Sequence, residues 1–189
     1  MDYISTRDNA CRVSAAQAIV SGLSPDGGLF LPESLPQFTR SDIEAMSKQD
    51  YVGCATEVLS RFLTDFTKEE LREYIGKAYA PAKFPPREVA PVVQLDEQAA
   101  ILELFHGPTF KDFALQLLPY LLTASLKKTG ENKTVVILVA TSGDTGKAAL
   151  EGFADVPGTR ICVFYPDGGT SNIQRLQMTT QEGGNVMVF

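Results

Sequence analysis

Residues 134–140 read TVVILVA, an almost unbroken β-branched run, and no other stretch restricts the fold of this chain more. A strand with one wet face alternates apolar and polar residues. A strand apolar throughout is expected to be covered on both faces. Residues 160–165, RICVFY, read the same way, and another strand begins within residues 185–189, NVMVF. Helical stretches separate them, at residues 145–154 and 171–181. Strands and helices in this order predict a parallel sheet with crossover helices, the α/β class. Upstream, residues 101–105 are a further strand candidate, and residues 113–128 a helix that Pro119 is expected to kink. The chain stops within or just after its last strand, so it reads as a fragment of a longer protein.

Residues 1–85 differ in character and read as mostly helical. Residues 14–20 are a short helix candidate, followed by the turn-rich stretch GLSPDGG at 22–28. Within residues 51–62, Val52, Ala55, Val58, Leu59 and Phe62 fall on one helical face. Thr67 and Glu70 form a capping-box pattern that opens a helix over 68–79. Residues 81–86, PAKFPP, hold three prolines in six positions, which neither a helix interior nor a central strand accommodates. A boundary is expected here, between an N-terminal domain (1–85) and the start of an α/β domain (86–189).

The charge balance excludes some partners. Against 17 Lys and Arg stand 23 Asp and Glu, a net charge of −6, and no basic stripe is present. This argues against nucleic acid and against an anionic membrane surface. The apolar stretch near residues 115–126 is interrupted by Gln116, Pro119, Thr123 and Ser125 and is too short to span a bilayer. The N-terminus lacks the basic and apolar regions of a signal peptide. Cys11, Cys54 and Cys162 show neither a CxxC pair nor a zinc spacing, so they read as reduced thiols of a cytoplasmic protein, with no metal site.

Two stretches carry chemistry. In residues 103–114, ELFHGPTFKDFA, a strand runs into a Gly-Pro turn, and Lys111 follows at a helix start between Phe110 and Phe113. A helix N-terminus tends to lower the pKa of a nearby amine, and Schiff-base chemistry needs a neutral amine. The residues alone favour a solvated surface lysine, as most lysines at helix starts are. In residues 140–147, ATSGDTGK, a glycine-containing loop joins a strand to a helix, where open α/β sheets bind ligands and free N–H groups attract anions. A tight connection with a capping side chain is the other reading. Thr141 stands where a Walker A loop or a GxGxxG fingerprint needs glycine, so neither an ATP loop nor a nicotinamide site is supported.

Together the two stretches resemble the threonine synthase family, within the tryptophan-synthase-β-like pyridoxal-phosphate enzymes. HGPTFKDFALQ at 106–116 is similar to the family's cofactor-lysine segment, and ATSGDTGKAA at 140–149 to the loop that faces substrate and cofactor. YISTR at 3–7, SPDGGLFLPESLP at 24–36 and YPDGGTSNIQRLQM at 165–178 follow the family in the same order. Asp144 in the loop favours this family over relatives that carry Asn there. Asp8 stands where the family often has Gly.

The resemblance implies an open parallel-sheet domain of fold type II, truncated, with pyridoxal 5'-phosphate as cofactor. It implies conversion of O-phospho-L-homoserine and water to L-threonine and phosphate by the full-length parent. Lys111 is expected to hold the cofactor, Phe110 and Phe113 to flank its ring, Asp144 to lie near its 3-oxygen, and His106 to contact it or orient the turn. Thr141, Ser142, Gly143 and Thr145 are expected at the substrate carboxylate, and Lys147 at its phosphate. Ser5, Thr6 and Arg7 are expected to reach the substrate from the N-terminal domain. A related phospho-lyase is one alternative. Another is a non-catalytic fragment whose half-built sheet promotes self-association.

Overall fold

The computed structural model describes residues 1–84, 89–105, 110–141 and 143–189. In chain order its first elements are β1 (Tyr3–Ser5), β2 (Arg12–Val13), α1 (Ala15–Ser21), β3 (Phe30–Pro32), α2 (Arg40–Met46), α3 (Tyr51–Phe62) and α4 (Lys68–Ala78). Next come β4 (Val92–Gln94), β5 (Ala100–Leu102), α5 (Asp112–Leu115) and α6 (Leu118–Thr129). The last are β6 (Val135–Ala140), α7 (Asp144–Phe153), β7 (Thr159–Phe164), α8 (Asn172–Thr179) and β8 (Val186–Val188). The chain is α/β. By contact it forms two compact units, residues 1–78 with 120–132, and residues 79–119 with 133–189.

In the first unit, helix starts follow from local side chains. Ser14 with Gln17, Thr39 with Asp42, and Thr67 with Glu70 each close a capping box that satisfies N–H groups the helix cannot. On α4, Leu71, Ile75 and Ala78 lie on one face and are fully buried. A small antiparallel sheet in the order β2-β1-β3 accompanies the helices. The mostly helical reading of residues 1–85 did not include it, because strands of two or three residues show no alternation.

The helix expected over 113–128 is two helices. Proline has no N–H, and in a continuous helix the ring of Pro119 would meet the carbonyl of Leu115. α5 therefore ends at Leu115, and α6 takes Pro119 into its first turn, where no intrahelical bond is lost.

In the second unit β4 and β5 form an antiparallel hairpin, Val92 opposite Leu102. The strand expected over 101–105 is thus shorter, and its partner β4 was not foreseen. The strands β6-β7-β8 form a parallel sheet in that order, with Val135 beside Thr159 and Ile161 beside Val186. One face is packed: Ala148, Ala149, Leu150 and Phe153 of α7 and Met178 of α8 are buried with Ile161 and Val163. The other face corrects the expectation that TVVILVA is covered on both sides. Val136 is 53% and Leu138 70% exposed, while Val135, Ile137 and Val139 are half-buried. Phe164, Met187 and Phe189 extend this open apolar face, and Phe164 stacks on Phe189 at 5.2 Å. A run of β-branched residues reports strand propensity on both faces, even where the described helices cover only one.

Candidate functional site

The carboxyl ends of β6 and β7 lie side by side, with the Thr141 N–H donating to the Phe164 carbonyl at 2.9 Å. This edge of a parallel sheet is where ligand loops gather. From it the chain turns into α7. Thr141 Oγ1 accepts from the Gly143 N–H at 3.2 Å, and Gly143, the N-cap of α7, contributes no side chain to the helix start. The position where N–H groups and the helix dipole favour an anion is therefore free of a cap side chain. Gly146 permits close packing behind the loop: a Cβ there would lie 2.3 Å from Thr141 Cγ2 and 3.0 Å from Met178 Sδ.

Asp144 opens α7 with an exposed side chain, and Oδ1 accepts from Gln174 Nε2 at 3.2 Å. Gln174, on α8, was not among the candidates drawn from the sequence. The Ser171-x-x-Gln174 capping pattern was the signal that could have found it. Thr145 is exposed beside Asp144. Lys147 is only 13% exposed at its side chain and pairs with Glu151 one turn on.

Lys111 is the N-cap of α5. Its Nζ stands 4.7 Å from the centre of the Phe110 ring. Lys68, Lys77, Lys128 and Lys147 each pair with a carboxylate, but Lys111 has no such partner among the described residues. α5 has four residues, so the dipole expected to act on the amine comes from about one turn. The two aromatic neighbours separate. Phe110 is 56% exposed, whereas the Phe113 ring packs on Phe84 at 5.3 Å, and the Phe113 carbonyl accepts from the Tyr79 hydroxyl at 2.5 Å.

Buried polar groups anchor this segment. Asp112 and Gln116 are fully buried; Gln116 Nε2 donates to Asp112 Oδ1 at 3.0 Å, and its Oε1 accepts from Lys83 Nζ at 2.8 Å. Burial pushes the Lys83 ammonium below the usual lysine range, opposed by the charges of Glu151 and Asp112. α5 bears directly on α7, since a Cβ on Gly152 would lie 2.3 Å from the Leu115 carbonyl oxygen. The lysine segment thus meets α7 at Gly152, near the C-terminal end of that helix, while the 141–143 turn stands at its start.

Ser5, Thr6 and Arg7 lie in the other unit. Ser5 is fully buried, and its Oγ donates across the Asp26 carboxylate, 2.8 Å from each oxygen, and accepts from the Arg7 N–H at 3.1 Å. Thr6 Oγ1 accepts from the Leu29 N–H, and Arg7 Nη1 donates to the Asp26 carbonyl at 3.2 Å. Hydrogen bonds from the Gly28 N–H first, and from Ser5 and Ser24, hold the Asp26 carboxyl below its ordinary range. His106 and Ser142 lie outside the described residues. Among the described residues no helix is long and apolar enough to cross a membrane.

Residues 2–79 match the family model described as the threonine synthase N terminus. A threonine synthase from Pseudomonas aeruginosa is 42% identical over 189 residues, which is 98% of this chain and 39% of the relative. The human protein named threonine synthase-like 2 is 40% identical over 193 residues, covering 100% of this chain and 39% of that protein. Among solved structures, PLP-bound threonine synthase from Brucella melitensis superposes with a TM-score of 0.90 at 39% identity, covering all of this chain and 40% of that one. The Escherichia coli threonine synthase gives 0.82 at 38% identity, over all of this chain and 42% of its own. The chain spans about two fifths of the length of the curated relatives it matches.

Proposed function

We infer that this chain, which resembles threonine synthase along its whole length, forms the N-terminal part of an enzyme that makes L-threonine and phosphate from O-phospho-L-homoserine and water. The observation that carries the reading is the Lys111 amine. It has no carboxylate partner among the described residues, it stands beside an exposed aromatic ring, and it belongs to a helix packed on the one that follows the 141–147 loop. This donor set fits pyridoxal 5'-phosphate and an amino-acid substrate: a primary amine for the cofactor's aldehyde, an aromatic face for its ring, and a helix start without a cap side chain for the substrate carboxylate.

When bound, the cofactor supplies an electron-accepting ring that lets a proton leave the substrate's Cα. Lys111 Nζ would hold the cofactor through its aldehyde and, as a free amine, would move protons at the substrate carbons. Thr141, Ser142, Gly143 and Thr145 orient the substrate carboxylate at the start of α7. Asp144 would serve the cofactor's 3-oxygen, and the exposed Phe110 would offer a face to its ring, while Phe113 packs on Phe84 behind it. His106, outside the described residues, would contact the cofactor or the substrate, and Lys147 would have to leave its Glu151 partner to meet the substrate phosphate. On this reading the β6-β7-β8 sheet begins a fold type II domain over residues 86–189, residues 1–85 form a separate domain, and the protein is cytoplasmic.

The test is to add pyridoxal phosphate to the chain, reduce with borohydride, and map the modified lysine by mass spectrometry. Selective labelling of Lys111 is expected; scattered labelling counts against a working site in this chain. On a protein of the relatives' full length carrying this chain, threonine and phosphate should form together. Phosphate without threonine would assign a phospho-lyase instead. A second reading, self-association, is favoured by the open sheet face, where Leu138 is 70% exposed. Leu138→Lys should then shift the chain toward monomer in a size measurement; a wild-type chain that is already monomeric would rule it out.

A further inference from the structure

Gln174 contacts two helix starts at once. Its Oε1 accepts from the Ser171 N–H at 3.3 Å and faces the Ser171 hydroxyl at 3.1 Å, closing the capping box of α8. An amide with its carbonyl engaged in this way has only its N–H₂ to offer on the other side. That group faces Asp144 Oδ1 at 3.2 Å. Gly143 leaves the room for it, since a Cβ there would lie 2.6 Å from Gln174 Nε2. Asp144 is exposed, and a first-turn carboxylate in that position otherwise samples several rotamers.

We propose that Gln174 is a positioning residue for the reaction: it fixes Asp144 through Oδ1 and turns Oδ2 toward the cofactor. The proposal rests on the role given to Asp144 above. Ser171 sets the direction of the Gln174 amide, the amide sets the carboxylate, and the carboxylate meets the ligand. The start of α8 is thereby coupled to the start of α7 across the carboxyl edge of the sheet.

The two duties of Gln174 separate experimentally. Gln174→Glu keeps the capping box, because a glutamate in that position accepts from Ser171 equally well. It also replaces the donor facing Asp144 with a carboxylate oxygen. Gln174→Ala removes both duties. In the full-length protein carrying this chain, Q174E should stay folded, its melting temperature lowered only by the two facing carboxylates and recovered when Asp144→Asn is added. Its pyridoxal-phosphate absorption band should shift, and kcat should fall roughly tenfold with little change in KM, the scale seen when a supporting hydrogen bond is removed. In urea unfolding of the chain alone, adding Asp144→Asn to Q174E should restore stability lost to the facing carboxylates. A folded Q174E with wild-type spectrum and kcat overturns the proposal. So does a Q174E that loses activity only in step with its melting temperature. A wild-type protein that neither binds pyridoxal phosphate nor forms threonine overturns the underlying function as well, and does so without any variant.

Discussion

The closeness of α5 and α7 is set at Gly152, and Gly152→Ala probes it. Glycine inside a helix costs about 1 kcal/mol relative to alanine, so propensity alone makes the substitution stabilising. Packing opposes this. The new Cβ would lie 2.3 Å from the Leu115 carbonyl oxygen and 3.1 Å from the carbonyl carbon, both backbone atoms that cannot rotate aside. The helices must part by roughly 1 Å to reach van der Waals distance. Overpacking of this kind costs about 1–3 kcal/mol, and a backbone obstacle puts the cost in the upper half of that range. The net expectation is a loss of about 1–2 kcal/mol. With a urea m-value of about 2 kcal/mol/M, the midpoint should fall by roughly 0.5–1 M. Equilibrium urea unfolding followed by circular dichroism measures it. A midpoint unchanged or raised would refute the contact and the argument that Lys111 sits on a segment anchored to α7.

Gly76, inside α4, is the converse case: a Cβ there meets nothing within 4 Å, so Gly76→Ala should stabilise by about 0.5–1 kcal/mol in the same assay. The Asp42 carboxyl is held at about 2, from its ordinary 3.8, first by the Thr39 N–H and hydroxyl and then by Arg61. Its folded value is depressed, so its stabilisation is complete above pH 3.8 and is lost as pH falls through 2. Acid unfolding of Asp42→Asn should therefore be less steep between those values than that of the wild type. Ser5→Ala removes one donor from the Asp26 carboxylate, which keeps the Gly28 N–H, and takes the fully buried Ser5 oxygen from the Arg7 N–H, a loss of about 1–3 kcal/mol readable as a lowered urea midpoint.

What the sequence made legible was chiefly local. The helix over 51–62 could be read because its apolar residues repeat at helical spacing, and α4 because Thr67 and Glu70 form the capping box the structure contains. The order of strands and helices after residue 134 announced a parallel sheet for the same reason: long elements carry clear periods. The hairpin strand β4 and the sheet β2-β1-β3 escaped because two or three residues hold no period. The exposure of Leu138 escaped because side-chain type says how a residue pairs along a strand and nothing about which layers lie above it. At the site, Lys111 and the 141–147 loop stood out by residue type and spacing. Gln174 did not, since its contact to Asp144 joins residues on separate helices, and only its local duty toward Ser171 leaves a trace in the chain. The inward turn of Phe113, unlike that of Phe110, depends on Phe84, a partner far off in sequence.

The register of the parallel sheet bears on how the chain acquires its structure. Val135 meets Thr159, and Ile161 meets Val186, each pair separated by roughly 25 residues. Among the described residues each strand of this parallel sheet thus finds its neighbour after one short crossover. Loop-closure entropy is then nearly the same at each addition. As the chain leaves the ribosome, β7 can dock on β6 and β8 on β7 in order of synthesis, each strand laid down on an edge already formed.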